Sequence, residues 1–178
     1  TFEGKPEFWN TKPLLLHWLQ WASASLFGWN EWGLRLPSAA SALGVVLLIL
    51  GISKGILGSY RYGFAAGLVL IVLPGYVGFH ASRTADYDAL LSLGTTGAFL
   101  SLWLAAERDS RYLLLTWFFL TLAVLTKGIA GLLIAPGLAC IALLRYRAIP
   151  WLQTRWFWLG FVFFVFVLVT LTKKSTKV

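Results

Sequence analysis

The sequence is poor in charge, cysteine and methionine, and each shortage narrows what the chain can be. Charged residues make up 12% of its 178 residues, against about 25% in ordinary soluble domains. The shortage extends over the whole length, and together with a mean hydropathy of +0.75 it indicates a membrane protein. The single cysteine, Cys140, lies in an apolar run, which argues against a disulfide or a thiolate metal site.

Methionine is absent and the chain opens on Thr1, so we expect the sequence to begin inside a longer protein. Residues 173–178 resemble a truncated or altered end. The net charge of +8 comes from cations in the predicted loops, where they set topology and meet anionic lipid headgroups. Nucleic-acid binding is therefore not expected.

Apolar runs without a charged side chain predict an all-α, polytopic transmembrane bundle of about six spans. A spanning helix needs about 17–25 mostly apolar residues, and about 15 suffice where flanking side chains reach the interface. The runs are 36–53, 62–82, 89–106, 112–126, 128–144 and 156–172. The glycines at 44, 51, 55 and 58 predict close helix packing along the first of them.

The sequence divides into an extracytoplasmic or interfacial segment at 1–36, membrane spans at 37–172 and a tail at 173–178. Residues 13–27 predict an amphipathic helix lying at the membrane interface. Its apolar stripe comprises Leu14, Leu15, Trp18, Leu19, Ala22 and Leu26. Gly28 suits the C-cap of this helix, and Pro37 suits the first turn of the helix that follows.

Loop charges predict the orientation of the chain. One set of connections carries seven cations, and the opposite set carries only Arg83 and Lys127. The positive-inside rule makes the first set cytoplasmic. The cations of that set are Lys54, Arg61, Arg108, Arg111, Arg145, Arg147 and Arg155. The tail lysines would lie outside, against the rule.

An alternating path through the membrane brings three polar patches, 12–13, 80–88 and 125–128, to the outer side. Ionisable groups are costly at the edge of the hydrocarbon, so their gathering indicates a functional site. The carboxylates of Asp86 and Asp88 could act as a general base, bind a cation or orient sugar hydroxyls. The alternative is that Asp88 only caps the next helix.

Three cations, Lys12, Arg83 and Lys127, could neutralise a lipid phosphate or diphosphate at the same boundary. The alternative is that they only anchor the chain at the lipid headgroups. A very short turn between two apolar runs favours a functional role for Lys127. His17 and His80 fit packed or interfacial residues better than metal ligands.

Five segments in order resemble the polytopic glycosyltransferases that use polyprenyl-phosphate sugars. These are the dolichyl-phosphate-mannose protein mannosyltransferases and the aminoarabinose transferases of lipid A. The segments are TKPLLLHWL at 11–19, LFGWNEW at 26–32, LRLPSA at 34–39, RTADYDALL at 83–91 and LAVLTKG at 122–128.

The resemblance implies a GT-C-like membrane enzyme of the bacterial inner membrane, with its site facing the periplasm. Such enzymes transfer a sugar, with inversion, from a polyprenyl-phosphate donor to a lipid, glycan or protein acceptor. By position, Lys12 matches the family's phosphate-region lysine, Asp88 the acidic residue that opens a helix, and Lys127 the Thr-Lys-Gly lysine. We expect Asp88 to be catalytic by orienting sugar or acceptor, and Lys12, Arg83, Asp86 and Lys127 to bind substrate.

Two departures from the family pattern qualify these expectations. The family's acidic pair, which holds the expected catalytic base, would precede Thr1, so this fragment alone is expected to be inactive. Thr11 replaces the glutamate that usually precedes the family's lysine, which was a possible metal ligand. A divalent metal stays open as a cofactor. The alternative function is a secondary transporter or lipid-carrier flippase. Transporters tend to show repeats and charges near the bilayer centre, whereas this chain has no visible repeat.

Overall fold

The computed structural model describes residues 13–78, 83–146 and 149–175. Within these ranges the regular elements are α-helices and short 3₁₀ turns, without a strand, which confirms the all-α class. The helices are α1 (Leu15–Phe27), α2 (Glu31–Leu57), α3 (Tyr60–Val72), α4 (Pro74–Val77), α5 (Tyr87–Glu107), α6 (Leu113–Lys127), α7 (Ile129–Leu132), α8 (Ile134–Tyr146) and α9 (Arg155–Ser175). The 3₁₀ turns are Ser110–Tyr112 and Ile149–Gln153.

Two helices in the described ranges are long and apolar enough to cross a membrane. They are α2, with 27 residues, and α5, with 21. The prediction of about six spans is therefore not confirmed, although every predicted run contains helix. Pro74 has no N–H to continue a helix, and α3 stops at 13 residues, about 20 Å of helix against a hydrocarbon core of about 30 Å.

Helix α2 begins earlier than the apolar pattern predicted. The Asn30 side chain accepts a hydrogen bond from the Gly33 N–H at 2.8 Å and caps the helix. Pro37 consequently lies inside α2, and the prediction that it occupies the first turn is wrong. Gly28 does form the C-cap of α1, with φ 93°.

The long helices α2 and α5 pack side by side and run in the same direction. At one end the Ser38 hydroxyl donates to the Asp86 carbonyl at 3.0 Å, and at the other the Arg108 guanidinium donates to the Gly55 carbonyl. Helix α6 returns along α5 after the turn at 110–112. The starts of α2 and α5 and the end of α6 therefore lie at one end of the bundle.

Close packing of α6 depends on glycines of α5, whereas the sequence pattern had indicated α2. A Cβ on Gly94 would lie 2.8 Å from the Ala123 nitrogen, and one on Gly97 would lie 2.4 Å from the Phe119 ring. On α2, a Cβ at Gly51 would meet nothing within 4 Å. The prediction of close packing is thus wrong at Gly51 and Gly58, and confirmed at Gly44, where a Cβ would lie 3.1 Å from the Leu93 side chain.

Helix α1 crosses the start of α5 and uses a different face from the one its apolar stripe indicated. Leu16 is 1% exposed and packs in a cluster with Tyr87 and Leu90. Trp18 and Leu26, which belong to the predicted stripe, are exposed. Leu15 packs against this cluster, whereas the other residues of the predicted stripe are exposed and point away from the bundle.

Candidate functional site

The C-terminal end of α6 holds Lys127 in a defined place. Thr126 is fully buried and its hydroxyl donates to the Leu122 carbonyl at 2.7 Å. Gly128 then reverses the chain with φ 58° and ψ −120°, a conformation that side-chain-bearing residues rarely adopt. Its N–H donates to the Val124 carbonyl at 2.7 Å. The Thr-Lys-Gly sequence is thus the local cause of the lysine's position.

The two aspartates at the start of α5 have different surroundings. Asp86 is the N-cap, and its carboxylate accepts a hydrogen bond from the Tyr87 N–H at 2.7 Å. Asp88 lies in the first turn of α5, where the helix dipole favours a carboxylate. The capping function considered for Asp88 therefore falls on Asp86.

Asp88 and Lys127 form an ion pair between the start of α5 and the end of α6. The residues are 39 positions apart, and their side chains are 44% and 26% exposed. This partial exposure leaves both groups accessible to a ligand from the end of the bundle. The structure thus brings together two residues that the sequence placed in one site.

The N-terminal segment approaches the same turn. Two ring carbons of Pro13, Cγ and Cδ, lie 3.8 and 3.9 Å from the position that a Cβ on Gly128 would take. Lys12 and His80 lie outside the described residues. The described part of the first polar patch, Pro13, therefore adjoins the third patch.

Two hydrogen bonds hold α1 over the start of α5, and sequence reasoning missed both. His17 Nε2 and the Tyr87 hydroxyl are 2.8 Å apart, with the rings edge to face. The Gln20 amide donates to the Ala85 carbonyl at 3.0 Å. The available signal was a polar stretch in α1 opposite a polar loop, but its pairing depends on how α1 crosses α5. His17 thus lies between α1 and the start of α5.

Arg83 lies elsewhere than expected. It lines a groove of about 600 Å³ whose other walls come from α2, α3 and α4. Arg35 and Glu31 line the same groove and form an i,i+4 ion pair at 3.3 Å. No contact of Arg83 with Asp88 or Lys127 occurs among the described residues.

The described acidic and histidine side chains do not converge on a metal site. No group of three or more His, Cys, Asp or Glu side chains is placed to hold an ion within those residues. Asp88 instead pairs with Lys127.

An all-α bundle with spanning-length helices and a charged pair at one end defines a membrane protein with a polar terminal site. Family comparison makes the class specific. Residues 11–172 match the dolichyl-phosphate-mannose-protein mannosyltransferase family, so the chain belongs to that family. The match confirms the resemblance found in the sequence.

A curated relative is similar to nearly the whole chain. It is the undecaprenyl phosphate-alpha-4-amino-4-deoxy-L-arabinose arabinosyl transferase of Shewanella sediminis (strain HAW-EB3), 28% identical over 168 residues. The match covers 90% of this chain and 29% of the relative, so the chain spans less than a third of the relative's length. No solved structure shows a significant match.

Proposed function

We propose that this chain is part of a glycosyltransferase that moves a sugar from a polyprenyl-phosphate donor to a lipid, glycan or protein acceptor. The observation that carries the proposal is the Asp88–Lys127 pair at the end of the bundle, in a chain of this family. The substrate classes come from the family and relative named above. The reaction takes place at the extracytoplasmic membrane face, which the loop charges favour.

The reaction exchanges one bond at the anomeric carbon. An acceptor hydroxyl oxygen attacks that carbon, the bond to the carrier phosphate breaks, and the hydroxyl proton passes to a general base. The departing phosphate gains negative charge, which a nearby lysine stabilises. The resemblance implies that the general base belongs to the family's acidic pair. It also implies that the configuration at the anomeric carbon is inverted.

Lys127 stabilises the departing phosphate, and Lys12, which directly precedes Pro13, adds a second cation. In the absence of donor, Lys127 pairs with Asp88. A doubly charged phosphate competes for the lysine and releases the carboxylate. Asp88 is then able to accept hydrogen bonds from sugar or acceptor hydroxyls. Asp86 positions Asp88 by capping α5.

We propose the membrane arrangement that the sequence predicts. About six spans occupy 37–172, and α1 lies along the outer interface with its exposed stripe, including Trp18, towards lipid. The membrane is the bacterial inner membrane. The cations of the connections after α2, α5 and α8 then face the cytoplasm.

The test measures sugar transfer from an undecaprenyl-phosphate sugar by the full-length protein. Lys127→Gln and Asp88→Asn each remove one charge from the pair, and Lys12→Gln removes the second cation. We expect Lys127→Gln to lower kcat by roughly 10² to 10³, the effect of losing one stabilising donor.

The control is Arg111→Gln, which breaks the Arg111–Asp109 ion pair, 3.0 Å long, beyond the opposite end of α5. It should leave transfer unchanged. Normal turnover of Lys127→Gln and Asp88→Asn at equal expression would show that the pair is not part of the active site. Counterflow of labelled substrate without covalent transfer would instead indicate a transporter or flippase.

A further inference from the structure

The groove beside α2 combines two cations with an apolar wall. Its walls include Ala39, Leu43 and Val46 of α2 and Ile71 of α3, and Arg35 and Arg83 line it as well. A volume of about 600 Å³ is within the range of small-ligand pockets, about 300–1,000 Å³. The groove therefore matches a ligand that carries both a charged group and a chain.

Among the residues that the structure describes, the positive charge lining the groove is only partly balanced. Arg83 is exposed and has no hydrogen-bond or ion-pair partner among the described residues. Arg35 forms an ion pair with Glu31 of its own helix, and both side chains are more than half exposed. Two arginines against one carboxylate leave a net positive charge that suits a phosphate, which arginine binds through paired N–H donors.

The groove is separate from the Asp88–Lys127 site. Its lining residues within the described ranges come from α2, α3, α4 and Arg83, and include none from α1, α5 or α6. Trp32 also lines it and is 84% exposed. Exposed tryptophans are enriched at the depth of lipid headgroups, so the arginines fit the level at which a membrane phosphate lies.

We propose that this groove binds one anionic membrane phospholipid, with its phosphate between Arg35 and Arg83 and an acyl chain along the α2–α3 wall. The proposal rests on membrane localisation and the groove itself, and is independent of glycosyl transfer. This phospholipid would be distinct from the polyprenyl-phosphate donor. It would fill the groove between α2 and α4 and stabilise the loop from Arg83 to Asp86.

The experiment is native mass spectrometry of the detergent-purified protein titrated with dioleoyl-phosphatidylglycerol and, separately, with dioleoyl-phosphatidylcholine. Wild-type protein should retain the anionic lipid in preference to the zwitterionic one. Arg83→Gln and Arg35→Gln should each weaken phosphatidylglycerol binding about tenfold, since each removes charge-assisted hydrogen bonds to the phosphate. Ala39→Phe should weaken the binding of both lipids, because the larger side chain would occupy the space proposed for the acyl chain.

Arg61→Gln is the matched control, because Arg61 is an exposed arginine outside the groove. It should bind like the wild type. Equal retention of both lipids by wild type, or an equal loss in Arg61→Gln, would overturn the proposal. A further contrary result would be that stoichiometric undecaprenyl phosphate displaces phosphatidylglycerol from the wild type, and that Arg83→Gln no longer binds undecaprenyl phosphate. The groove would then be a site for the sugar carrier.

Discussion

At the scale of single residues, the position of Lys127 depends on the backbone of Gly128. The combination of φ 58° and ψ −120° is open to glycine and strained for other residues. Pro13 lies on the side where a Cβ would be added. The turn therefore places Gly128, the neighbour of the lysine, against Pro13 of the N-terminal segment.

Gly128→Ala should lower the free energy of unfolding by about 1–3 kcal/mol, the strain of a residue held in this region. Thermal unfolding of the purified protein, followed by circular dichroism, measures the change. Gly51→Ala is the control, because a Cβ there meets nothing within 4 Å; alanine in a helix is favoured over glycine by up to about 1 kcal/mol. Wild-type stability in Gly128→Ala would contradict the strained-turn account.

Two substitutions of Asp86 distinguish its capping oxygen from its charge. Asp86→Ala removes the side-chain oxygen that accepts from the Tyr87 N–H, and should cost about 1 kcal/mol of stability. Asp86→Asn keeps a capping oxygen and should retain most of it. The measurement is again thermal unfolding, and equal losses in the two variants would show that charge rather than capping is what Asp86 supplies.

The sequence predicted which residues meet where helix order alone brings them together. It did not predict contacts that depend on the angle at which two helices cross. Asp88 and Lys127 were placed in one site because topology alone puts the start of α5 and the end of α6 at one side. The His17–Tyr87 bond joins residues 70 positions apart, and it depends on the angle at which α1 crosses α5. The sequence carries no pattern that sets this angle.

At the scale of elements, the helix pair α5–α6 is the scaffold on which the ion pair is built. Gly94 faces the Ala123 backbone, and a Cβ there would come within 2.8–3.0 Å of three Ala123 atoms. Because these include backbone atoms of a packed helix, they cannot turn aside as a flexible side chain would. The approach of α5 to α6 therefore requires glycine.

Gly94→Ala should destabilise the protein by about 1–3 kcal/mol through overpacking and should shift Asp88 away from Lys127. Unfolding in denaturant gives the first effect, and a lowered rate of sugar transfer in the full-length protein gives the second. Gly137→Ala in α8 serves as the control, because a Cβ there has open space. If both variants unfolded alike, the close contact between α5 and α6 would not be limiting.

Apolar runs predicted where helices occur but not where they break. The break before α4 had a visible signal in Pro74. The break between α7 and α8 falls at Leu133, inside a continuous apolar run, where Gly131 packs so closely that a Cβ would lie 2.2 Å from the Ala123 carbonyl oxygen. Such breaks follow from tertiary packing, which hydropathy does not report.

At the scale of the whole molecule, the exposed surface is the surface of a membrane protein. Large apolar side chains stand exposed along the helices, including Val72 at 78%, Val162 at 61% and Phe166 at 64%. Soluble monomers rarely expose contiguous apolar patches of more than a few hundred Å². Lipid or further protein covers these faces, which agrees with the family and with the two spanning-length helices.

The orientation of the bundle leads to a prediction about which reagents reach which end. The start of α2 and the Asp88–Lys127 pair share one end, and the Arg108–Gly55 contact marks the other. In a Cys140→Ser background, Trp29→Cys should react with a membrane-impermeant maleimide added to intact cells. Glu107→Cys should react only after the membrane is opened, because its end carries the cations that the positive-inside rule retains in the cytoplasm.

Both test positions are exposed, so a failure to react reports the side of the membrane rather than burial. Labelling of both positions from outside would mean that α2 and α5 do not cross the bilayer. Labelling of Glu107→Cys alone would reverse the orientation and put the ion pair in the cytoplasm, where the proposed extracytoplasmic transfer could not occur. The expected pattern, outside at 29 and inside at 107, is the one arrangement in which two parallel helices present Asp88 and Lys127 to the outer headgroup region.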